Sequence, residues 1–217
     1  MLNRDEDMYV FLFTYNFVSG ADYDYRMTSG QRNPFQARWK VGVSKDGLLK
    51  VLDANVYNNA GYSLDLSGAV IDRALTHMDS CYWISHVHLR GPVCKTNTHS
   101  NTAFGGFGAP QGQFMAKCIM TTIADNLKMS VNELHWKNLY KEGELTPFLQ
   151  PIEDWHVSLI ITQLKAESDY DACVQQVEEF NRTHKWKKRG ITLIPTKFGL
   201  SFSTALHLNQ AGVVVHI

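Results

Sequence analysis

The sequence contains no Cys-x-x-Cys pair, and its four cysteines, Cys81, Cys94, Cys118 and Cys173, stand far apart. This excludes the ligand spacings of a zinc ribbon or an iron–sulfur cluster. Four thiols in 217 residues are also too few for a disulfide framework, so buried thiols in a reducing compartment are expected. Neither sign of charge is in excess: Lys+Arg and Asp+Glu number 21 each. That balance argues against binding dominated by charge, whether to nucleic acid or to an acidic membrane. No membrane-length apolar run is read. The aromatic stretch MYVFLFTYNFV, Met8 to Val18, falls short of the roughly 20 residues a bilayer span needs. It follows the acidic NRDED, so the basic start of a secretory signal is missing too. The expected location is the cytoplasm, with the peroxisome as the alternative, and neither nucleic acid nor membrane is an expected partner.

What is present reads as α+β. QARWKVGVS and LLKVLDANVYN are rich in β-formers and flank the turn KDG, Lys45 to Gly47, which predicts a hairpin. DLSGAVIDRALTHM carries apolar residues at Leu66, Val70, Ile71, Ala74, Leu75 and Met78, a helical spacing that leaves Arg73 off the main apolar stripe. YWISHVHLRGPV alternates and predicts a strand. Pro110 suits the first turn of a helix continued by QGQFMAKCIMTTIADNL. SVNELHWKNLY opens with Ser130 and has Glu133 three residues on, the pattern of a capping box. SDYDACVQQVEEFNRTH predicts another helix, and GITLIPTKFGLSFS and AGVVVHI predict strands. An apolar strand-like run at the chain end suggests a piece of something larger, because termini are normally loose and polar.

Three features invite a functional reading. His86 and His88 share a face of the predicted strand, but no third ligand follows at a recognisable spacing, so solvated strand histidines are expected. The basic run KWKKRG, Lys185 to Gly190, complements a helix C-terminus. The stretch TNTHSNTAFGGFGAPQGQF is different. It lacks the Gly-x-x-x-x-Gly-Lys of a phosphate loop, yet it runs into a helix N-terminus whose free N–H groups favour an anion. Gly105, Gly106 and Gly108 allow a ligand close to the backbone, and Phe104 and Phe107 offer aromatic faces. An anionic, aromatic ligand fits such a loop; a structural glycine-rich turn is the alternative.

On those residues the chain resembles the xanthine dehydrogenase and aldehyde oxidase family. CKTNTHSNTAFGGFGAPQG is similar to that family's molybdopterin-binding region, where the motif reads Thr-Asn-x-x-Ser-Asn-Thr-Ala-Phe-Arg-Gly-Phe-Gly-x-Pro-Gln. NRDEDM, SGQRNPFQARWKVG, DRALTHMD, NLYKEGELTPF, KWKKRG, IPTKFGLSF and LNQAG resemble further family blocks in family order, fungal enzymes most of all. The resemblance implies a partial molybdopterin-binding domain over residues 1–217, with mixed sheets and packed helices, from an enzyme that hydroxylates purines such as hypoxanthine and xanthine. It implies a molybdopterin cofactor here, and 2Fe–2S clusters, FAD and NAD on domains these residues do not include. It also implies the rest of that enzyme, or a second copy, as partner.

Residue by residue, the resemblance implies that Arg73 steadies negative charge on the purine, that Phe107 stacks on its face and Phe202 meets its edge, and that Ser203 stands beside it where the family has threonine. Phe104, Gly105 and Gly106 fall in the cofactor loop, and no direct metal ligand is implied. Gly105 departs from the family, which has arginine there. The segment Tyr9–Arg26 has no family counterpart, and its removal restores the family spacing as NRDEDMMTSGQRNPF. It reads as an insertion, even a retained intron, expected to pack poorly. Without the family's glutamate base, these 217 residues alone are expected to be inactive. The alternatives are a non-catalytic remnant that binds a partner and an incorrect gene model of an intact enzyme.

Overall fold

A computed structural model describes the backbone of residues 8–17 and the whole of residues 30–200 and 210–215. The chain runs β1 (Met8–Phe17), β2 (Gln31–Arg32), β3 (Phe35–Ser44), β4 (Leu49–Gly61), α1 (Ser67–Leu75), β5 (His86–Arg90), β6 (Val93–Lys95), β7 (Asn101–Thr102), α2 (Ala109–Leu127), α3 (Val131–Asn138), α4 (Val157–Glu167) and α5 (Tyr170–Thr183). It is an α+β arrangement of two mixed-origin sheets and packed helices, as the sequence predicts.

The predicted hairpin forms. β3 and β4 pair antiparallel, and Gly47 takes the left-handed conformation, φ +91°, that closes the turn. Alternation then sorts the side chains. Phe35, Ala37, Trp39, Val41 and Val43 of β3 and Leu52, Ala54 and Val56 of β4 turn inward, while Arg38 and Lys40 face water. The inward face meets Val70, Ile71 and Ala74 of α1, Met115, Ile119 and Ile123 of α2, and Leu134 of α3 in one core. Each of the Val, Leu, Ile, Phe and Met side chains contributes roughly 1.5–3 kcal/mol by leaving water.

β4 is long enough for two parallel neighbours in succession. β5 pairs with Val51–Asn55, and β6 with Asn58–Gly61. The strand predicted across Tyr82–Val93 is therefore interrupted at Gly91–Pro92, where proline offers no N–H to a ladder. A second small sheet joins β2 in parallel to β7. α1 and α2 touch backbone to backbone: a Cβ on Gly108 would lie 2.0 Å from the Val70 carbonyl oxygen, and one on Gly112 2.2 Å from that of Ala74.

Several expectations are corrected. α3 forms with Ser130 at its N-cap, but no side-chain capping bond is made, so its start rests on packing. α4 was not predicted: VSLIITQLKAE buries only Ile161, too little for an amphipathic pattern. The run from Gly190 to Gly199 contains no strand, and Ala211–Val215 contains none either. Pro195 cannot donate to a ladder, and the polar groups around it are taken up by side chains of α2 and by His77 in the turn after α1. Arg73, though off the apolar stripe, is buried at 7% exposure because that irregular run covers it. The Tyr9–Arg26 segment overlaps β1, and the backbone of Met8–Phe17 pairs with the whole of β3. The aromatic and β-branched composition of that stretch suits a strand. Residues 18–26 lie outside the described residues.

Candidate functional site

Residues 103–108 link β7 to α2, and three consecutive residues there adopt left-handed backbone: Gly106 (φ +90°), Phe107 (φ +53°) and Gly108 (φ +99°). Gly108 must be glycine to let the Val70 carbonyl approach. Phe107, a bulky residue in a conformation that disfavours side chains, is held there by packing against the core. The turn uses two donors, with Phe107 N–H on the Phe104 carbonyl at 2.8 Å and Ala109 N–H on that of Gly106 at 3.0 Å. Among the described residues, the N–H groups of Gly105, Gly106 and Gly108 donate to no backbone carbonyl. They precede Pro110 in the first turn of α2, so unspent donors and the positive end of a 19-residue helix coincide.

Cations flank this loop. Arg32 of β2, set beside β7 by the small sheet, donates to the Gly105 carbonyl at 3.1 Å, and its guanidinium lies 4.9 Å from the centre of the Phe104 ring. A Cβ on Gly105 would meet nothing within 4 Å, so the face that bears an arginine in the resembling family is open. Arg73 stands one helical turn from Val70, the residue against which Gly108 packs. Its Nη2 donates to the Gly199 carbonyl, and its guanidinium lies 4.8 Å from the centre of the Phe198 ring. Burial lowers the Arg73 pKa from its ordinary value. The Phe198 ring reaches within 4.0 Å of where a Gly106 Cβ would be. Phe198 thereby connects Arg73 to the glycine loop.

The irregular run Pro195–Gly199 is strapped down by α1, α2 and the turn after α1. Lys117 donates to the Pro195 carbonyl at 2.9 Å, and Gln113 to that of Lys197 at 2.6 Å. The Lys197 ammonium pairs with the Asp79 carboxylate at 2.8 Å, to which the Tyr140 hydroxyl also donates. Burial pushes the Asp79 carboxyl up, while Lys197 and Tyr140 hold it down. Lys117, desolvated, is pushed down to about 8. The Gly199 N–H donates to Nε2 of His77 at 2.9 Å.

The structure thus brings Arg73, Gly106 and Phe198 to one place, with Phe104 and Gly105 on the same loop. Phe202 and Ser203 lie outside the described residues. Sequence reading missed Phe198 and His77. Phe198 was visible only as part of the block IPTKFGLSF, and His77 only as one more residue of a helix end. His86 and His88 are exposed on β5, where Nδ1 of His88 meets the Asp53 carboxylate at 2.9 Å. Among the described residues no group of three or more His, Cys, Asp or Glu is gathered as a metal site, and no helix is long and apolar enough to cross a membrane.

Comparison with known proteins adds to this geometry. Two family models described as molybdopterin cofactor-binding domain match residues 22–139 and 163–217. A nicotinate hydroxylase from Emericella nidulans is 55% identical over the whole chain, and a xanthine dehydrogenase from the same organism is 51% identical. The xanthine dehydrogenase/oxidase of Gallus gallus is 44% identical over the whole chain. The chain spans about 15% of the length of these relatives. Among solved structures, the aldehyde oxidoreductase from Desulfovibrio gigas is similar with a TM-score of 0.63 and 29% identity, over 69% of this chain and 16% of that one. A Cu,Mo-CO dehydrogenase shares the fold at a TM-score of 0.61 and 15% identity, over 70% of this chain and 20% of that one.

Proposed function

The chain belongs to the molybdopterin cofactor-binding domain family, and from that premise we propose that it forms part of the active site of a molybdenum hydroxylase acting on an electron-poor nitrogen heterocycle. The observation that carries the reading is the buried Arg73 guanidinium, linked through Phe198 to a glycine loop in which the N–H groups of Gly105, Gly106 and Gly108 donate to no backbone carbonyl among the described residues.

These donors suit an anionic cofactor. Gly105, Gly106 and Gly108 present N–H groups, Phe104 presents a ring, and Arg32 adds positive charge without occupying the open side of Gly105. When bound, the cofactor supplies the oxygen transferred to the ring and accepts the two electrons released. The chain's own residues do the rest. Phe107 offers a face for the heterocycle. Arg73 opposes the negative charge that grows on it as the carbon is attacked, and because the guanidinium is already fixed and desolvated, it need not reorganise. In the complete enzyme the 2Fe–2S clusters, FAD and NAD that the resemblance implies would carry the released electrons away, and its other domains or a second copy are the expected partners.

A purine is the favoured substrate, because a cation at Arg73 answers charge delocalised over fused nitrogen rings, and xanthine dehydrogenases match the entire chain. A pyridine carboxylate is the second reading. It is favoured by the 55% identity to a nicotinate hydroxylase, and an arginine would pair with its carboxylate. In a complete enzyme carrying this segment, Arg73→Met is expected to lower purine kcat/KM by about 100-fold, the order seen for a lost oxyanion-type donor, while aldehyde turnover falls little. Steady-state assays with hypoxanthine, nicotinate and an aromatic aldehyde decide it. Equal losses on all three would remove Arg73 from this role, and a wild-type enzyme that takes nicotinate but not hypoxanthine would select the second reading.

A further inference from the structure

We propose that His77 is a positioning residue for Arg73: its neutral imidazole couples the end of α1 to Gly199, and protonation of Nε2 releases that coupling. The inference rests on the reading of Arg73 given above.

The two ring nitrogens have fixed and different tasks. Nδ1 lies 2.7 Å from the Arg73 carbonyl oxygen, which can only accept, so Nδ1 carries the proton. Nε2 lies 2.9 Å from the Gly199 nitrogen, whose N–H can only donate, so Nε2 must keep its lone pair. Only the neutral Nδ1–H tautomer satisfies both. A second proton would set N–H against N–H. Gly199 would be pushed off, and its carbonyl is the acceptor for the Arg73 guanidinium. Phe198 would leave with it. Its ring stands 5.3 Å from the imidazole and 4.8 Å from the guanidinium carbon. One proton at Nε2 therefore removes an acceptor and an aromatic neighbour from Arg73 together.

The surroundings favour the neutral ring. His77 is buried, and among the described residues the charges that face it are Arg73 of α1 and Lys197 of the strap, both cationic. The Thr76 hydroxyl is 3.3 Å from Nδ1 and neutral. Asp79 is engaged by Lys197 and Tyr140. On the remaining side Thr146, Phe148, Gln150 and Ile152 bring no charge. Burial first, then the two cations, lower the His77 pKa from its ordinary value, against the opposing pull of the Arg73 carbonyl. A proton has a route to the ring, because His77 borders a cavity of about 170 Å³ between those residues and the strap. Since the folded pKa is depressed, the coupling is intact at neutral pH and is lost as pH falls through that value.

The test is the pH dependence of kcat/KM on a heterocyclic substrate in a complete enzyme carrying this segment. The unmodified enzyme should hold a plateau at neutral pH and lose about tenfold per pH unit on an acid limb lying below 6.5, the ordinary histidine value. His77→Gln places an oxygen where Nε2 accepts and cannot titrate. It should stay within about threefold of the plateau and lose the acid limb. His77→Asn keeps a donor for the Arg73 carbonyl but leaves Gly199 without an acceptor. It should fall at least tenfold at every pH with molybdenum content unchanged. A Gln variant that retains the acid limb, or an Asn variant that matches wild type, overturns the proposal. An unmodified enzyme whose kcat/KM stays flat at every pH at which it remains folded and loaded with molybdenum overturns it without any variant. Arg73→Met separates the two readings: no effect there means the Arg73 assignment fails, whereas its expected effect alongside an unaltered acid limb in His77→Gln means that only the role of His77 fails.

Discussion

Gly105 and Gly112 look alike in sequence and differ entirely in surroundings. A side chain at Gly105 meets open space and needs no left-handed backbone, so Gly105→Arg is accommodated sterically. The new guanidinium would make charge-assisted contacts to an anionic ligand, each worth roughly 1.5–3 kcal/mol. Arg32 already supplies charge at the loop, which takes part of that gain. In a complete enzyme, Gly105→Arg is expected to raise molybdenum occupancy or kcat by about threefold to tenfold, measured by metal analysis and steady-state assay. If both stay flat, the backbone N–H groups suffice and the departure from the family is neutral. This departure was legible in the sequence because it breaks a motif. The neighbour Phe198 was not, because nothing in a linear pattern says that a ring at 198 meets an arginine at 73.

The pair α1–α2 shows how an element can depend on a missing atom. Gly108, the N-cap of α2, and Gly112 within it lie four apart, and Val70 and Ala74 lie four apart on α1, so two backbone contacts fall in line along the crossing. Gly112→Ala would place a methyl 2.2 Å from the Ala74 carbonyl oxygen, which is backbone and cannot rotate away. The helices must separate, and overpacking of this kind costs about 1–3 kcal/mol. The expected outcome is a melting temperature lower by roughly 2–12 °C, since a chain of this size loses about 2–4 °C per kcal/mol. Gly105→Ala serves as the control that should melt with wild type. Thermal denaturation followed by circular dichroism checks both. The helices themselves were legible. Apolar spacing named α1, Pro110 marked where α2 begins, the Ser130–Glu133 pattern marked α3, and SDYDACVQQVEEFNRTH reads as the helix that is α5. α4 was hidden because its apolar residues Leu159, Ile160 and Leu164 face outward, which breaks the pattern that sequence reading relies on. The run around Pro195 was misread as strand because apolar β-formers occur in any extended segment, and only the side chains of Gln113, Lys117 and His77, distant in sequence, say where its backbone bonds go.

At the scale of the molecule, local and distant pairings divide the structure into parts that assemble at different times. The β3–β4 hairpin closes through Ser44 and Leu48, four residues apart. The strap closes through Asp79 with Lys197, His77 with Gly199 and Arg73 with Gly199, separated by 118, 122 and 126 residues. Closing so long a loop costs entropy that short pairings do not pay, and such contacts form late. They are also few and mostly polar, so they open without disturbing the core. In hydrogen exchange the Gly199 amide is expected to lose protection at least tenfold faster than amides of the β3–β4 pair; equal rates would mean that the strap and the core open only together. On the ribosome the order is stricter still. The hairpin, α1 and α2 are complete before residue 195 is made, at about 5–20 residues per second. During that interval Arg73 stands beside the glycine loop with neither Gly199 nor Phe198 in place, so the newborn domain passes through a stage in which its ligand face is accessible from the side the strap will later cover.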